Sequence, residues 1–493
     1  MSAWLRDAAR STGARLAFTV WLVYSLHATT NVVRETYLAI AIGERFSLRV
    51  DEYLGLHPDL FEIPGRGAYI NNNPGASFLG AVPYTLARPV LAALFAWRPA
   101  LIAPKPPAAY DDPRPNRTRF MNESRARGLD VKLALAAIIT QVGLMAPLGA
   151  LAALLLFFYL RERGQSERRA VALALIYAFA TPIFFRSGFL NQNAILAHCT
   201  LAAWVLMVGL RPRAPGAPVP PLHLWLAGLV LGYGLLSDYS AAALLLVFGV
   251  WSLVSARRAG WGAMIRAGAV FSFGAFVPLA GLLAYQWAAF GSPWFPAQRY
   301  MPPTRYSVIG WNGFFVPTGE LLVGNLFDPR YGLFAFCPLL IVAFAAPFIR
   351  RDPGDPTRAE LGWILAASAA LYVFSSANQF ANLQWNTGVR YMVPAVPLLF
   401  LAAVPVLRRL PAPAGSILLG VTVVISFAVS MTRESVPDAL QLVFTGGPTL
   451  PVFIVLEKMA SGYPALQFGP AAPWILFAAV GLLLMLVWRR RNA

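Results

Sequence analysis

The chain has 493 residues, of which 58% are hydrophobic and 13% charged, with a mean hydropathy of +0.58, and this excludes a soluble enzyme held by a single anchor. A soluble domain carries about twice that share of charge. The net charge of +18 comes almost wholly from arginine, since only Lys105, Lys132 and Lys458 are lysines. It is scattered through short loops with no continuous basic stripe, which argues against nucleic-acid binding.

Taken in chain order, the apolar runs predict an all-α polytopic membrane protein with about 12 transmembrane helices and a large first extracytoplasmic loop. A first span over about 14–31 follows an N-terminal segment with Arg6, Arg10 and Arg15. A long one over about 132–160 returns to the basic tether Arg161–Arg169. Pairs of spans then lie between further basic tethers: 170–185 with 194–210, 223–237 with 240–254, 264–289 with 332–348, 361–376 with 392–407, and 416–432 with 473–488. The tethers at Arg211–Arg213, Arg257–Arg258, Arg350–Arg351, Arg408–Arg409 and Arg489–Arg491 belong in the cytoplasm by the positive-inside rule. Parity then requires that the apolar stretch 76–97, with Pro83, Arg88 and Pro89, does not cross, and it reads as an in-plane or re-entrant helix. The expectation is one integral membrane domain over 1–493 in a bacterial inner membrane, with both termini cytoplasmic. Its long outer regions are 32–131, 290–331, 377–391 and 433–472. The arginine excess, with abundant Ala and Pro, suits a GC-rich prokaryotic genome. Cys199 and Cys337 both fall in apolar spans and carry no disulfide signal.

Long segments on one side of a membrane point to a site at that face. The first outer region holds ten of the 22 carboxylates, Asp111 and Asp112 among them. Glu35 stands out because it follows the first span within about a turn, where a carboxylate is costly without a task or a partner, and Arg34 is beside it. Asp51 and Asp59 are the other candidate acids. Arginines followed by tyrosine recur outside, against the usual bias, at Arg299, Arg305, Arg330 and Arg390, and Arg186 lies at the mouth of its hairpin. A guanidinium offers a planar fork to phosphate oxygens, so Arg390, Arg330, Arg299 and Arg186 are the candidate phosphate ligands. Tyr69, Asn72 and His57 in the first outer region and Trp311 and Trp385 on later outer loops are further candidate binding residues. There is no nucleotide-binding P-loop, no nucleophile elbow and no zinc spacing among His27, His57, His198 and His223. No cofactor is implied; a divalent metal would suit such chemistry but nothing in the sequence indicates one.

Three segments, in this order, resemble the GT-C superfamily of membrane glycosyltransferases. They are Asn31-Val-Val-Arg-Glu-Thr-Tyr37 after the first span, Asn71-Asn-Asn-Pro-Gly-Ala-Ser77 at the start of a membrane-associated helix, and Gly388-Val-Arg-Tyr-Met-Val-Pro-Ala-Val-Pro397 entering a late span. The resemblance implies transfer of a sugar from a polyprenyl phosphate donor to a glycan, lipid or protein acceptor at the extracytoplasmic face. It also implies a catalytic carboxylate after the first span. The family usually has Asp-Glu there, whereas this chain has Arg34-Glu35, so the base is Glu35 or falls to Asp51 or Asp59. Two other classes use many spans: a lipid or glycolipid transporter or flippase, which calls for ionisable residues in mid-span, where only Asp238 and Arg266 are found, and a non-catalytic membrane assembly protein.

Overall fold

The computed structural model describes residues 11–108, 115–211, 213, 217–386, 388–458 and 468–489. Arg6, Arg10, Asp111, Asp112, Arg490 and Arg491 lie outside the described residues. The protein is an α-helical membrane protein whose one small sheet is the hairpin β1 (Leu60–Ile63) and β2 (Gly67–Ile70), among the described residues. The helices begin where side chains can take up their free N–H groups. Ser11 caps α1 (Thr12–Leu26), Ser166 caps α6, and Thr357 forms a reciprocal capping box with Glu360 at the start of α13.

After α1 come α2 (Arg34–Arg45), the hairpin, α3 (Gly75–Trp97), α4 (Pro115–Ala126) and the long α5 (Asp130–Glu162). A π turn at Gln141–Met145 interrupts α5. Next are α6 (Glu167–Phe179), α7 (Pro182–Arg186), α8 (Gln192–Val208), α9 (Pro221–Ser237), α10 (Ala241–Ser255) and α11 (Trp261–Phe290). The short α12 (Gly319–Phe327) precedes a stretch over Leu333–Phe336 and Pro338–Phe348. The last elements are α13 (Arg358–Ala377), α14 (Val396–Leu407), α15 (Ala412–Thr432), α16 (Val436–Gly446), α17 (Pro451–Lys458) and α18 (Ala472–Trp488).

Six of these helices are long and apolar enough to cross a membrane, or seven if α16 and α17, bent by 79° at their junction, count as one. By that criterion six or seven stand in place of the twelve expected. Several remaining stretches, such as Gln192–Val208 and Pro221–Ser237, are apolar but shorter than 18 residues. The expected span at 332–348 is wound mostly as a 3₁₀-helix, with Pro338 at its start and Pro347 inside it.

Salt bridges and loop contacts sort the helix ends. Glu162 pairs with Arg211 at 2.7 Å and Arg163 with Glu360 at 2.9 Å, while Arg409 and Arg408 reach Asp352 and Asp355. Thr12 bonds to Glu167, so the start of α1 joins them. The tethers at 161–169, 211–213, 350–351 and 408–409 therefore gather at one end of the bundle. At the other end the loops meet: Asn193 bonds to Asp238 at 2.9 Å, and Asn73 to the main-chain oxygen of Leu235 at 2.7 Å.

Both ends of α3 are fixed at that loop end. Tyr233 donates to the Gly75 carbonyl at 2.7 Å, and beyond Trp97 the Lys105 ammonium joins the Leu101 carbonyl at 3.0 Å to the Asp130 carboxylate at 2.9 Å. Asp130 opens α5. A second core beneath the outer region packs Tyr37, Tyr53, Phe61, Tyr69 and Ile70 on Tyr285 and Phe290 at the end of α11. In the bundle, α9 and α11 approach through glycines. A Cβ on Gly228 would lie 2.0 Å from the Phe271 carbonyl oxygen, and one on Gly274 2.1 Å from that of Trp225.

Candidate active site

The site forms where the outer region meets the loop end of the bundle. The hairpin register pairs Leu60 with Ile70, and the Asn71 amide donates to the Asp59 carbonyl at 3.0 Å, so residues 57–59 and 71–72 become neighbours. Against them stands the first turn of α2. There Arg34 forms ion pairs with both Glu35 (3.3 Å) and Asp59, and the Asn72 amide donates to Glu35 at 2.5 Å. Glu35 is 2% exposed, while the Asp59 side chain keeps 27% of its surface open. The carboxylate that a solute can reach is Asp59.

The electrostatics follow from these contacts. Burial alone would raise the Asp59 pKa, but Arg34, His57 and Arg390 together hold it below its ordinary value of 3.8. Burial works against the Arg34 charge, and Glu35 and Asp59 more than offset it. His57 is lowered by burial, with Asp59 opposing, and its Nδ1 accepts the Asp59 amide at 3.1 Å. The imidazole is therefore neutral at pH 7, with its proton on Nε2.

Arg390 comes from the loop before α14. Its amide and that of Tyr391 both donate to the Gln384 side-chain oxygen, each at 3.0 Å, and Gln384 in turn donates to Asn325 at 2.8 Å. The guanidinium donates to the Tyr391 hydroxyl at 2.5 Å and stacks on its ring at 4.6 Å, yet its Nε is buried with no hydrogen-bond partner among the described residues. Arg186, 3% exposed, is the last residue of α7 and lies over the Phe189 ring at 5.0 Å. Burial lowers its pKa to about 9, helped by Arg390 and Arg433, with Glu35 opposing. Arg186 thus lies within electrostatic reach of three other guanidinium groups and of Glu35, and burial with the neighbouring cations disfavours its charge.

The site therefore brings together Glu35, Asp59, His57, Asn72, Arg186 and Arg390 of the residues expected from sequence. The others lie elsewhere. Asp51 accepts the Ala68 amide at 2.6 Å and pairs with Arg49 at 2.8 Å, bracing the hairpin. Arg330 is bound to Asp328 two residues earlier at 2.7 Å, and Arg299 is exposed on a short turn. Tyr69 is buried, edge-on to Phe290, with its hydroxyl donating to the Arg66 carbonyl. Trp311 and Trp385 are exposed, at 62% and 53%. Arg433, which the Arg-Tyr pattern overlooked, belongs to the cluster. An arginine directly after a span, at the end away from the basic tethers, was the signal for it. Among the described residues no group of three His, Cys, Asp or Glu is arranged to hold a metal.

No family model and no curated protein matches the chain. Among solved structures it is similar to ArnT from Cupriavidus metallidurans in the apo state, at 16% identity over 96% of this chain and 75% of that one, with a TM-score of 0.46. The same protein bound to undecaprenyl phosphate gives 16% identity, the same coverage and a TM-score of 0.48. A likeness of this order assigns no residue and no substrate.

Proposed function

We propose that this chain is an integral membrane glycosyltransferase that moves a sugar from a polyprenyl phosphate donor to an acceptor hydroxyl at the extracytoplasmic face. The carrying observation is the cluster at the loop end of the bundle in which Arg34 pairs with Glu35 and Asp59, Arg390 acts on Asp59, and buried Arg186 lies within electrostatic reach of Arg34, Arg390 and Arg433. The tether end faces the cytoplasm by the positive-inside rule, which puts the cluster outside and α3 in the plane of the outer boundary.

In this reading the acceptor hydroxyl gives its proton to Asp59 as its oxygen bonds to the sugar C1. The bond from C1 to the phosphate oxygen breaks, and its electron pair leaves with the lipid phosphate. Arg34 keeps Asp59 ionised and aimed, and Glu35 with Asn72 holds Arg34 from behind. Arg390 and Arg186 stabilise the charge that grows on the leaving oxygen. The reading favours Asp59 over Glu35 as base because Glu35 is covered on every side.

The test is transfer of labelled sugar from a panel of polyprenyl phosphate donors by the purified protein in proteoliposomes. Turnover with at least one donor, abolished in Asp59→Asn, is expected. Tight binding of lipid phosphate without transfer from any donor would overturn the transferase reading.

A further inference from the structure

Arg433 reaches the cluster from the far end of the chain. It terminates α15 in a left-handed conformation, with φ of 63°, and its side chain turns back over the 186–189 turn. One Nη donates to the His27 carbonyl at 2.9 Å, and the guanidinium lies 5.7 Å from the Phe189 ring centroid, on the ring that also carries Arg186. Glycine at 188 permits this, because a Cβ there would lie 1.4 Å from Arg433 Nη2. The Nε and the other Nη are buried and have no hydrogen-bond partner among the described residues. No carboxylate forms an ion pair with it, again among those residues. Two buried donor groups of a half-buried cation, left unused beside a second arginine, are the donor set of an anion site.

The charges of the cluster give that anion a valence. Arg186 and Arg433 bring two positive charges to the one Phe189 ring, with Glu434 following Arg433 in the chain. A lipid phosphodiester carries one negative charge. When its C1–O bond breaks and the electron pair goes to oxygen, the phosphate becomes a monoester with up to two. We infer that Arg433 is a phosphate-binding residue, and that with Arg186 at the same Phe189 ring it forms an anion subsite selective for the dianionic lipid phosphate that leaves over the monoanionic donor. This deepens the transferase reading and rests on it for the word leaving. The selectivity for a dianion rests on the residues alone. Such a site binds the transition state, in which the second charge is forming, better than the ground state.

The experiment uses the full chain in nanodiscs and two probes, a short polyprenyl phosphate monoester and its methyl diester. The monoester gains its second charge at a pKa of about 6, whereas the diester stays monoanionic. Protein titrations act on both probes, so the ratio of the two affinities isolates the second phosphate charge. In the wild type that ratio should rise by roughly 10- to 100-fold from pH 5 to pH 8, the worth of one or more charge-assisted hydrogen bonds. Arg433→Gln should flatten it while diester binding, read with the thermal midpoint as a folding control, persists. Arg433→Lys should restore part of the rise. An unchanged ratio in Arg433→Gln, or a flat one in the wild type, overturns the subsite. Loss of the ratio in Arg433→Gln from a protein that transfers no sugar would sustain the subsite and remove the transferase.

Discussion

Arg433 donates a hydrogen bond to the main-chain oxygen of His27, 406 residues earlier in the chain, and so ties the end of α15 to the end of α1. Arg186 and Gly188 are clamped between these two ends, since the Thr29 amide donates to the Gly188 carbonyl at 3.1 Å. The anion cluster is a knot of termini from non-adjacent helices.

Gly188→Ala is a sensitive probe of this knot. The added Cβ cannot coexist with Arg433 Nη2 at its present position. Binding of a polyprenyl phosphate should weaken in the same pH-dependent way as in Arg433→Gln. A wild-type ratio of monoester to diester affinity in Gly188→Ala would show that Arg433 is placed by something other than this turn.

Asp59→Asn keeps the shape of the base but cannot take a proton. Sugar transfer should fall by roughly 10²–10⁴-fold, the usual contribution of a positioned base. Glu35→Gln should act differently: it weakens the hold on Arg34, so donor affinity changes along with turnover. If Glu35→Gln lowers turnover alone and Asp59→Asn is near normal, the two carboxylates have exchanged roles.

Arg390→Lys preserves charge but loses the fork and the stack on Tyr391. Lipid-phosphate affinity should drop by roughly 10-fold or more, the value of a hydrogen bond to a charged group. Equilibrium binding in detergent or nanodiscs decides this without an activity assay. Wild-type affinity would remove Arg390 from the phosphate site.

Asp59 also sets an acid limb. Its folded pKa lies below the ordinary value of 3.8, so its contribution to stability is complete above that value. It is lost as pH falls from there through the folded pKa. Thermal midpoints of wild type and Asp59→Asn should differ at pH 7, begin to converge below about pH 4 and meet only below the folded pKa. Parallel curves across that range would show that the Arg34 pair does not discriminate the folded state.

Topology can be read with cysteines at exposed positions, in a background where Cys337 is buried and Cys199 partly so. Ala103→Cys and Val308→Cys should react with an impermeant reagent from outside. Arg168→Cys and Pro353→Cys should react only after permeabilisation. Labelling of Ala103→Cys from the cytoplasmic side would mean that α3 crosses the membrane.

Much of the architecture was legible because membranes impose simple rules on sequence. The basic tethers marked one end of the bundle, and the ion pairs joining Glu162, Arg163, Asp352 and Asp355 to basic partners gather them there. Hydropathy could not reveal the 3₁₀ winding of 338–348, since an apolar run carries no record of its pitch. Within the site, Glu35 and Arg390 were visible as charges in costly places, and Asp59 only as an alternative acid. Asp51 and Asp59 looked alike because their difference lies in the hairpin register, which turns one to the hairpin brace and the other to Arg34. Arg330 looked like Arg390 until its turn folded it onto Asp328.

The bond from Arg433 to His27 also orders the birth of the protein. A nascent chain inserts α1 first, and its end must wait through some four hundred residues for the guanidinium that closes the cluster. Until α15 is in place, the half-built molecule holds Arg34, Glu35, Asp59 and Arg186 without their last cation.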